Sequence, residues 1–206
     1  MKIKTLLTSA IGAVLLSAAL PTYAKTQSII VAGGCFWCVE SDFEKVPGVL
    51  GAVSGYINGT TENPTYEQVS SKKTGHYEAV KISYDDEKVT AKELTDYFWK
   101  TIDPTDSKGQ FCDKGSPYLT GLFYQNEAQK KIFEQSLADI KLAPKNFTAP
   151  IVTPILAAEV FYDAEDYHQD YYSRNPIRYN YYRNGCGRDK RIKQLWGEVA
   201  SKQYKK

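Results

Sequence analysis

Two apolar periods divide the chain. Four runs read as strands: "SIIVAGG" at 28–34, a short buried one running into a glycine turn, "VLGAVSGY" at 49–56, "HYEAVKISYD" at 76–85, which alternates with period two, and "YLTGLFYQ" at 118–125. "APIVTPIL" at 149–156 reads as an edge strand, because its prolines remove ladder donors. Helical spacing appears from Cys35 onward, where Phe36, Val39 and Phe43 share a face until Pro47-Gly48 stops the pattern. Thr90 with Glu93 predicts a capping box for a helix carrying Leu94, Tyr97 and Phe98. Asn126 is placed to cap a helix with Ile132, Phe133, Leu137 and Ile140. Short helices are expected near 163–172 and 190–203, the second packing Ile192, Leu195, Trp196 and Val199 on the domain. "DPTDSKGQFCDKGSP" at 103–117 has no period and reads as a long loop, a place where function often sits. Strands and helices mixed in this way give an α+β single domain.

The first 24 residues stand apart. Lys2 and Lys4 precede an apolar stretch from Leu6 to Leu20, and Thr22-Tyr23-Ala24 closes it with small outer residues. That layout predicts a cleavable secretory signal over 1–24 and an exported protein, periplasmic or secreted, with the working domain at 25–206. The domain ends in a C-terminal helical extension. Without Lys2 and Lys4 the count is 24 basic against 24 acidic residues. A net charge near zero offers no field for nucleic acid or anionic lipid, so neither nucleic-acid binding nor stable membrane association is expected. A monomer is the simplest expectation. The single methionine is Met1, so the expected mature chain has none to oxidise.

Four cysteines carry the candidate chemistry. In an exported protein, two disulfides are one reading. A zinc site is disfavoured, because only Cys35 and Cys38 form a close pair; no metal is expected. The catalytic reading places Cys35 at a helix N-terminus, where unpaired N–H groups favour a thiolate. Cys38 lies one turn on, able to capture an oxidised Cys35, as in thioredoxin-type enzymes. Glu78 shares its strand face with Val80, Ile82 and Tyr84. A carboxyl group on that face is either desolvated into a general acid or sits at a strand end paired to a lysine. Periodicity leaves the two readings open. His76 and His168 read as structural.

These residues follow in order with "GGCFWCVE", "GYINGTTENPTYEQV", "TGHYEAV", "QFCDKGSPY" and "FYDAEDYHQDYY". The set resembles the peptide methionine sulfoxide reductase A family, from about Ile29 to Asn175. The resemblance implies a two-layer α+β sandwich with a mixed sheet. It implies thiol-dependent reduction of methionine S-sulfoxide, free or in peptides and proteins, by way of a Cys35 sulfenic acid and a disulfide. No bound cofactor is implied, only an external thioredoxin-like dithiol and oxidised proteins as partners. Cys35 matches the nucleophile, Glu78 the acid, and Tyr66 and Tyr118 the tyrosines that hydrogen-bond the sulfoxide oxygen. Asp113 matches the aspartate that orders the site, and Phe36 and Trp37 match the methyl pocket.

The chain departs from the family where oxidised Cys35 is resolved. Many relatives have glycine at Cys38 and a resolving cysteine soon after the Asn-Pro. Here Cys186 lies further beyond Asn175-Pro176, on what reads as a mobile tail, and Cys112 precedes Asp113. Cys38, Cys186 and Cys112 are all resolving candidates. Alternatively Cys112 and Cys186 form a fixed disulfide and leave Cys35 and Cys38 as the redox pair.

Overall fold

In a computed structural model describing residues 26–143 and 145–202, the expected leader at 1–24 lies outside the described residues. The chain runs through β1 (Thr26–Gly33), α1 (Phe36–Phe43), β2 (Val49–Ile57), α2 (Tyr66–Ser70), β3 (Tyr77–Asp85) and α3 (Ala91–Trp99). A short hairpin follows, β4 (Gly109–Gln110) with β5 (Asp113–Lys114), and a 3₁₀ turn at Ser116–Tyr118 leads into β6 (Thr120–Tyr124). Then come α4 (Glu127–Leu142), β7 (Ile155–Ala157), β8 (Tyr162–Asp163), α5 (Tyr171–Arg174), α6 (Pro176–Gly185) and α7 (Arg188–Lys202).

Six strands form one mixed sheet in the order β7-β6-β1-β3-β2-β8, antiparallel except where β7 runs parallel to β6. Alternation sorts its faces. Ile29 and Val31 of β1 and Val80, Ile82 and Tyr84 of β3 face Phe36, Val39 and Phe43 of α1, Leu94 and Phe98 of α3, and Phe133 of α4 in one buried core. Ile30, Ala32, Ile57, Ala79 and Phe123 face the other way, under Leu156, Ala158 and Phe161. Helices on one face of a mixed sheet make this the expected α+β sandwich. Both predicted helix starts are capped as expected: Thr90 forms a complete capping box with Glu93, and the Asn126 side chain accepts from the Gln129 N–H. Among the described residues no helix is long and apolar enough to cross a membrane.

Three expectations change. The stretch expected to be helical near 163–172 is β8 and turns, with only Tyr171–Arg174 helical. Polar anchoring takes the place of a helical ladder there. The Gln169 amide grips both the N–H and the C=O of Ser54, and the Asp170 N–H donates to Glu40. The tail beyond Pro176 is helix α6, whose proline occupies the first turn, where its missing N–H costs nothing. The long loop owes its order to buried Gln110, whose amide bonds the Asp103 N–H and C=O at 2.8 Å each.

Between β1 and α1 the chain must turn sharply against that loop. Gly34 has φ +81°, and a Cβ there would lie 2.5 Å from Gln110 Cβ. Gly34→Ala is therefore expected to lower stability by about 2–4 kcal/mol, combining left-handed backbone strain with a core clash, as read from urea unfolding.

Candidate active site

The turn at Gly34 delivers Cys35 to the N-cap of α1, with the Cys38 and Val39 N–H groups directed at its carbonyl. Cys35 is 5 % exposed and Cys38 is 2 % exposed; both are free thiols, and their side chains share a hydrogen bond. The expected thiolate on Cys35 is not what the surroundings favour in the resting site. Burial, the Cys38 sulfur and Glu78 push the Cys35 thiol well above its ordinary range, against the neighbouring Tyr182 hydroxyl, which lowers it. Cys38 is drawn down to about 7 by the Cys35 hydrogen bond and, against burial, by the charges of Arg188 and Arg183.

Glu78 lies opposite Tyr56 in the ladder of β2 and β3, on the sheet face that carries Val80 and Ile82. The alternative of a strand-end carboxylate paired to lysine is excluded. Glu78 is 2 % exposed and accepts the Phe36 N–H at 3.1 Å through Oε2. Burial dominates its titration and raises it from 4.5 to about 8, with help from Asp113 and Cys38 and against the Phe36 hydrogen bond. At neutral pH Glu78 is a carboxylic acid, one residue's reach from the Cys35 helix start.

Cys35, Phe36, Trp37, Tyr66, Glu78, Asp113 and Tyr118 line one cavity, together with Tyr182. The first seven were all singled out from the sequence, and the structure brings them together from α1, α2, β3, β5 and the 3₁₀ turn. The cavity is small, about 60 Å³, with room for a small polar head and a methyl group. The Tyr66 and Tyr118 hydroxyls share a hydrogen bond, and burial raises both, Tyr66 to about 12. They remain O–H donors at any physiological pH. Burial also raises the Asp113 carboxyl, against a hydrogen bond from the Tyr182 hydroxyl.

Wide similarity accompanies this geometry. The pattern that describes peptide methionine sulfoxide reductase matches residues 27–200. The chain belongs to the peptide methionine sulfoxide reductase family. A relative from Rhizobium meliloti (strain 1021), a peptide methionine sulfoxide reductase MsrA 2, is 50 % identical over 177 residues, covering 86 % of this chain and 87 % of its own. Among solved structures, reduced Mxr1 from Saccharomyces cerevisiae is 33 % identical with a TM-score of 0.69, covering 78 % of this chain and 91 % of its own. The same yeast protein in complex with Trx2 is 25 % identical with a TM-score of 0.51, over 75 % of this chain and 91 % of that one.

In this reductase the sequence reading missed the residues that hold the lining in place. Trp37 stacks on Tyr171 at 3.8 Å and 8°, and its Nε1–H donates to Nδ1 of buried His168 at 3.0 Å. The histidine is thus a structural acceptor, which fixes its tautomer as Nε2–H. Glu165 accepts the Tyr66 N–H at 2.8 Å and the Tyr56 hydroxyl at 2.9 Å, which sets the start of α2. His76 also proves structural, its ring nitrogen bonded to the Thr61 carbonyl. No periodicity marks these residues. The density of tyrosines around 167–182 was the one available signal.

The remaining cysteines are bonded to each other. Cys112 and Cys186 form a disulfide across 74 residues of chain, so Cys186 sits at the end of α6 and not on a free tail. Among the described residues two groups have metal-ligand types close together, Cys112/Asp113/Cys186 and Glu40/Glu44/Asp170. In the first the sulfurs are joined. In the second Glu40 already accepts from Ser54 and from the Asp170 N–H.

Proposed function

We propose that this reductase converts methionine S-sulfoxide, free or in oxidised proteins, to methionine, with Cys35 as nucleophile and Glu78 as acid. The observation that carries the reading is a buried thiol and a protonated carboxyl group lining one small cavity with an aromatic wall. A sulfoxide oxygen does not leave as an anion, so the site needs a proton donor beside the attacking sulfur. Tyr66 and Tyr118 hold the oxygen by O–H donation, and Phe36 and Trp37 receive the methyl group. Cys35 sulfur attacks the sulfoxide sulfur while Glu78 protonates the oxygen. Methionine departs reduced by two electrons, and Cys35 is oxidised to a sulfenic acid.

The second thiol is Cys38. It is free and hydrogen-bonded to Cys35, whereas Cys112 and Cys186 are already joined. Condensation releases water and leaves a Cys35–Cys38 disulfide, which an external thioredoxin-like dithiol reduces. The yeast Mxr1–Trx2 complex supports a reductant of that kind. The reading of residues 1–24 as a leader and of 25–206 as the working domain places the enzyme outside the cytoplasm, in the periplasm or secreted. A disulfide such as Cys112–Cys186 persists in that kind of compartment.

The test is single-turnover reduction of S- and R-methionine sulfoxide by the reduced protein, followed by mass mapping. Methionine from the S epimer with a Cys35–Cys38 bond is expected; none from either epimer overturns the reading. The paired change Cys112→Ser/Cys186→Ser is expected to keep that bond in the mass map while lowering stability by about 2–5 kcal/mol, because a long loop is no longer closed in the unfolded chain.

A further inference from the structure

Two buried arginines stand behind the reacting thiols, and the reaction described so far gives them no task. Arg183 of α6 is 9 % exposed, and Arg188 of α7 is 1 % exposed. Arg183 pairs with Asp42 of α1 at 2.9 Å and with Asp189 at 2.8 Å. It also donates to the Tyr179 hydroxyl at 3.0 Å and to the Cys38 carbonyl at 3.5 Å. Arg188 donates through Nη2 to the Gly33 and Thr101 carbonyls, at 2.9 and 3.1 Å, and lies 4.6 Å over the Phe111 ring. Its Nε is buried and has no hydrogen-bond partner among the described residues, with Asp42 4.0 Å away.

A buried guanidinium whose anion stays out of hydrogen-bond reach is costly unless another negative charge faces it. Asp42 already serves Arg183. The other groups that feel these charges are Asp113, which feels Arg188 but already accepts the Tyr182 hydroxyl, Tyr179, which feels Arg183 and keeps its proton because burial raises it, and Cys38, which feels both arginines. Cys38 lies at the third position of α1, packed against Cys35 and Tyr179, with Arg183 donating to its carbonyl at 3.5 Å and with Asp42, which Arg183 pairs at 2.9 Å and Arg188 approaches at 4.0 Å, one helical turn further along the same face.

We propose, resting on the assignment of Cys35 as nucleophile, that Cys38 is the base of the reaction and that Arg188 and Arg183 are its positioning residues. The resting site holds a Cys38 thiolate that accepts the Cys35 S–H. When the sulfoxide enters, the proton moves along that bond to Cys38 and Cys35 attacks as the anion. No electrons move in this transfer. Glu78 then gives its proton to the departing oxygen. When Cys38 sulfur attacks the sulfenic acid, its newly gained proton leaves with the hydroxyl as water. The negative charge that began on Cys38 ends on Glu78, which regains a proton from solvent. A thiolate on Cys38 also helps to keep Glu78 protonated until substrate arrives. Both arginines reach the site from the C-terminal helices, and the Cys112–Cys186 bond fastens these beside Phe111, so the helical extension takes part in the chemistry.

The test is ultraviolet titration of the thiolate in the reduced full-length protein and its variants. One thiolate forming near pH 7 is expected in the unaltered protein and in Cys35→Ser, whose hydroxyl still donates, and its loss is expected in Cys38→Ser. The single-turnover methionine burst of Cys38→Ser should slow on the order of 10²-fold at neutral pH. Arg188→Met should move the thiolate midpoint up by about one pH unit or more. If that variant does not fold, Arg183→Met reads the same shift. A thiolate that survives in Cys38→Ser and vanishes in Cys35→Ser overturns the proposal and leaves Cys35 as nucleophile. A Cys35→Ser variant that still yields methionine removes the assignment beneath it instead.

Discussion

Cys35→Ser should give a folded protein that forms no methionine, with a loss in kcat on the order of 10⁴–10⁶, the scale seen when a covalent nucleophile is deleted. The side chain is 5 % exposed and the replacement differs by one atom, so the packing with Cys38, Tyr171 and Tyr179 survives. A hydroxyl in the same place is a far weaker nucleophile toward sulfur and has no accessible two-electron oxidation to offer. The pair of measurements is far-ultraviolet circular dichroism with single-turnover methionine yield. Retained yield with normal dichroism would mean that another thiol attacks.

Glu78→Gln should slow the chemical step by about 10² to 10⁴, the usual contribution of a general acid. The amide keeps the shape and can still accept the Phe36 N–H, so substrate binding changes little and the loss falls on kcat. The pH profile gives the sharper reading. Glu78 works protonated and titrates near pH 8, so the unaltered enzyme keeps its rate at neutrality and loses it as pH rises through that value. In Glu78→Gln the alkaline fall should disappear, since an amide has no proton to lose there. Stopped-flow single turnovers across pH would show it. A fall that persists in the variant would assign the limb to another group and leave Glu78 with only an orienting role.

The central strands and the capped helices were legible because their residues obey single periods. Thr90, Glu93 and Asn126 are local signals, and the alternation through Val80, Ile82 and Tyr84 put Glu78 on the buried face before any contact was known. Tyr66, Asp113 and Tyr118 have no such pattern, since each lies at a short element whose position comes from distant partners such as Glu165 and Tyr182. They came from the resemblance alone. Helix α6 was illegible for a different reason: it buries only Tyr179 and Arg183, so it shows no apolar stripe. Arg188, 1 % exposed, has no sequence signal either, because a lone arginine in a charged stretch carries no mark of burial. His168 looked structural and is so, though nothing in the sequence tied it to Trp37.

The burial that makes Glu78 an acid also acts on the whole fold. Glu78 and Glu40 titrate near 8 and 7 in the folded chain, against 4.5 for an ordinary glutamate, chiefly through desolvation. The folded protein therefore keeps protons that the unfolded chain gives up. Their contribution to stability is complete below about pH 4.5. It is lost as pH rises through the folded values, with a slope approaching 1.4 kcal/mol per pH unit for each group. Catalytic competence and alkaline tolerance pull against each other at this position. Selection for thermal endurance alone, carried out at high pH, would favour glutamine at position 78 and produce a hardier protein that repairs its substrates far more slowly.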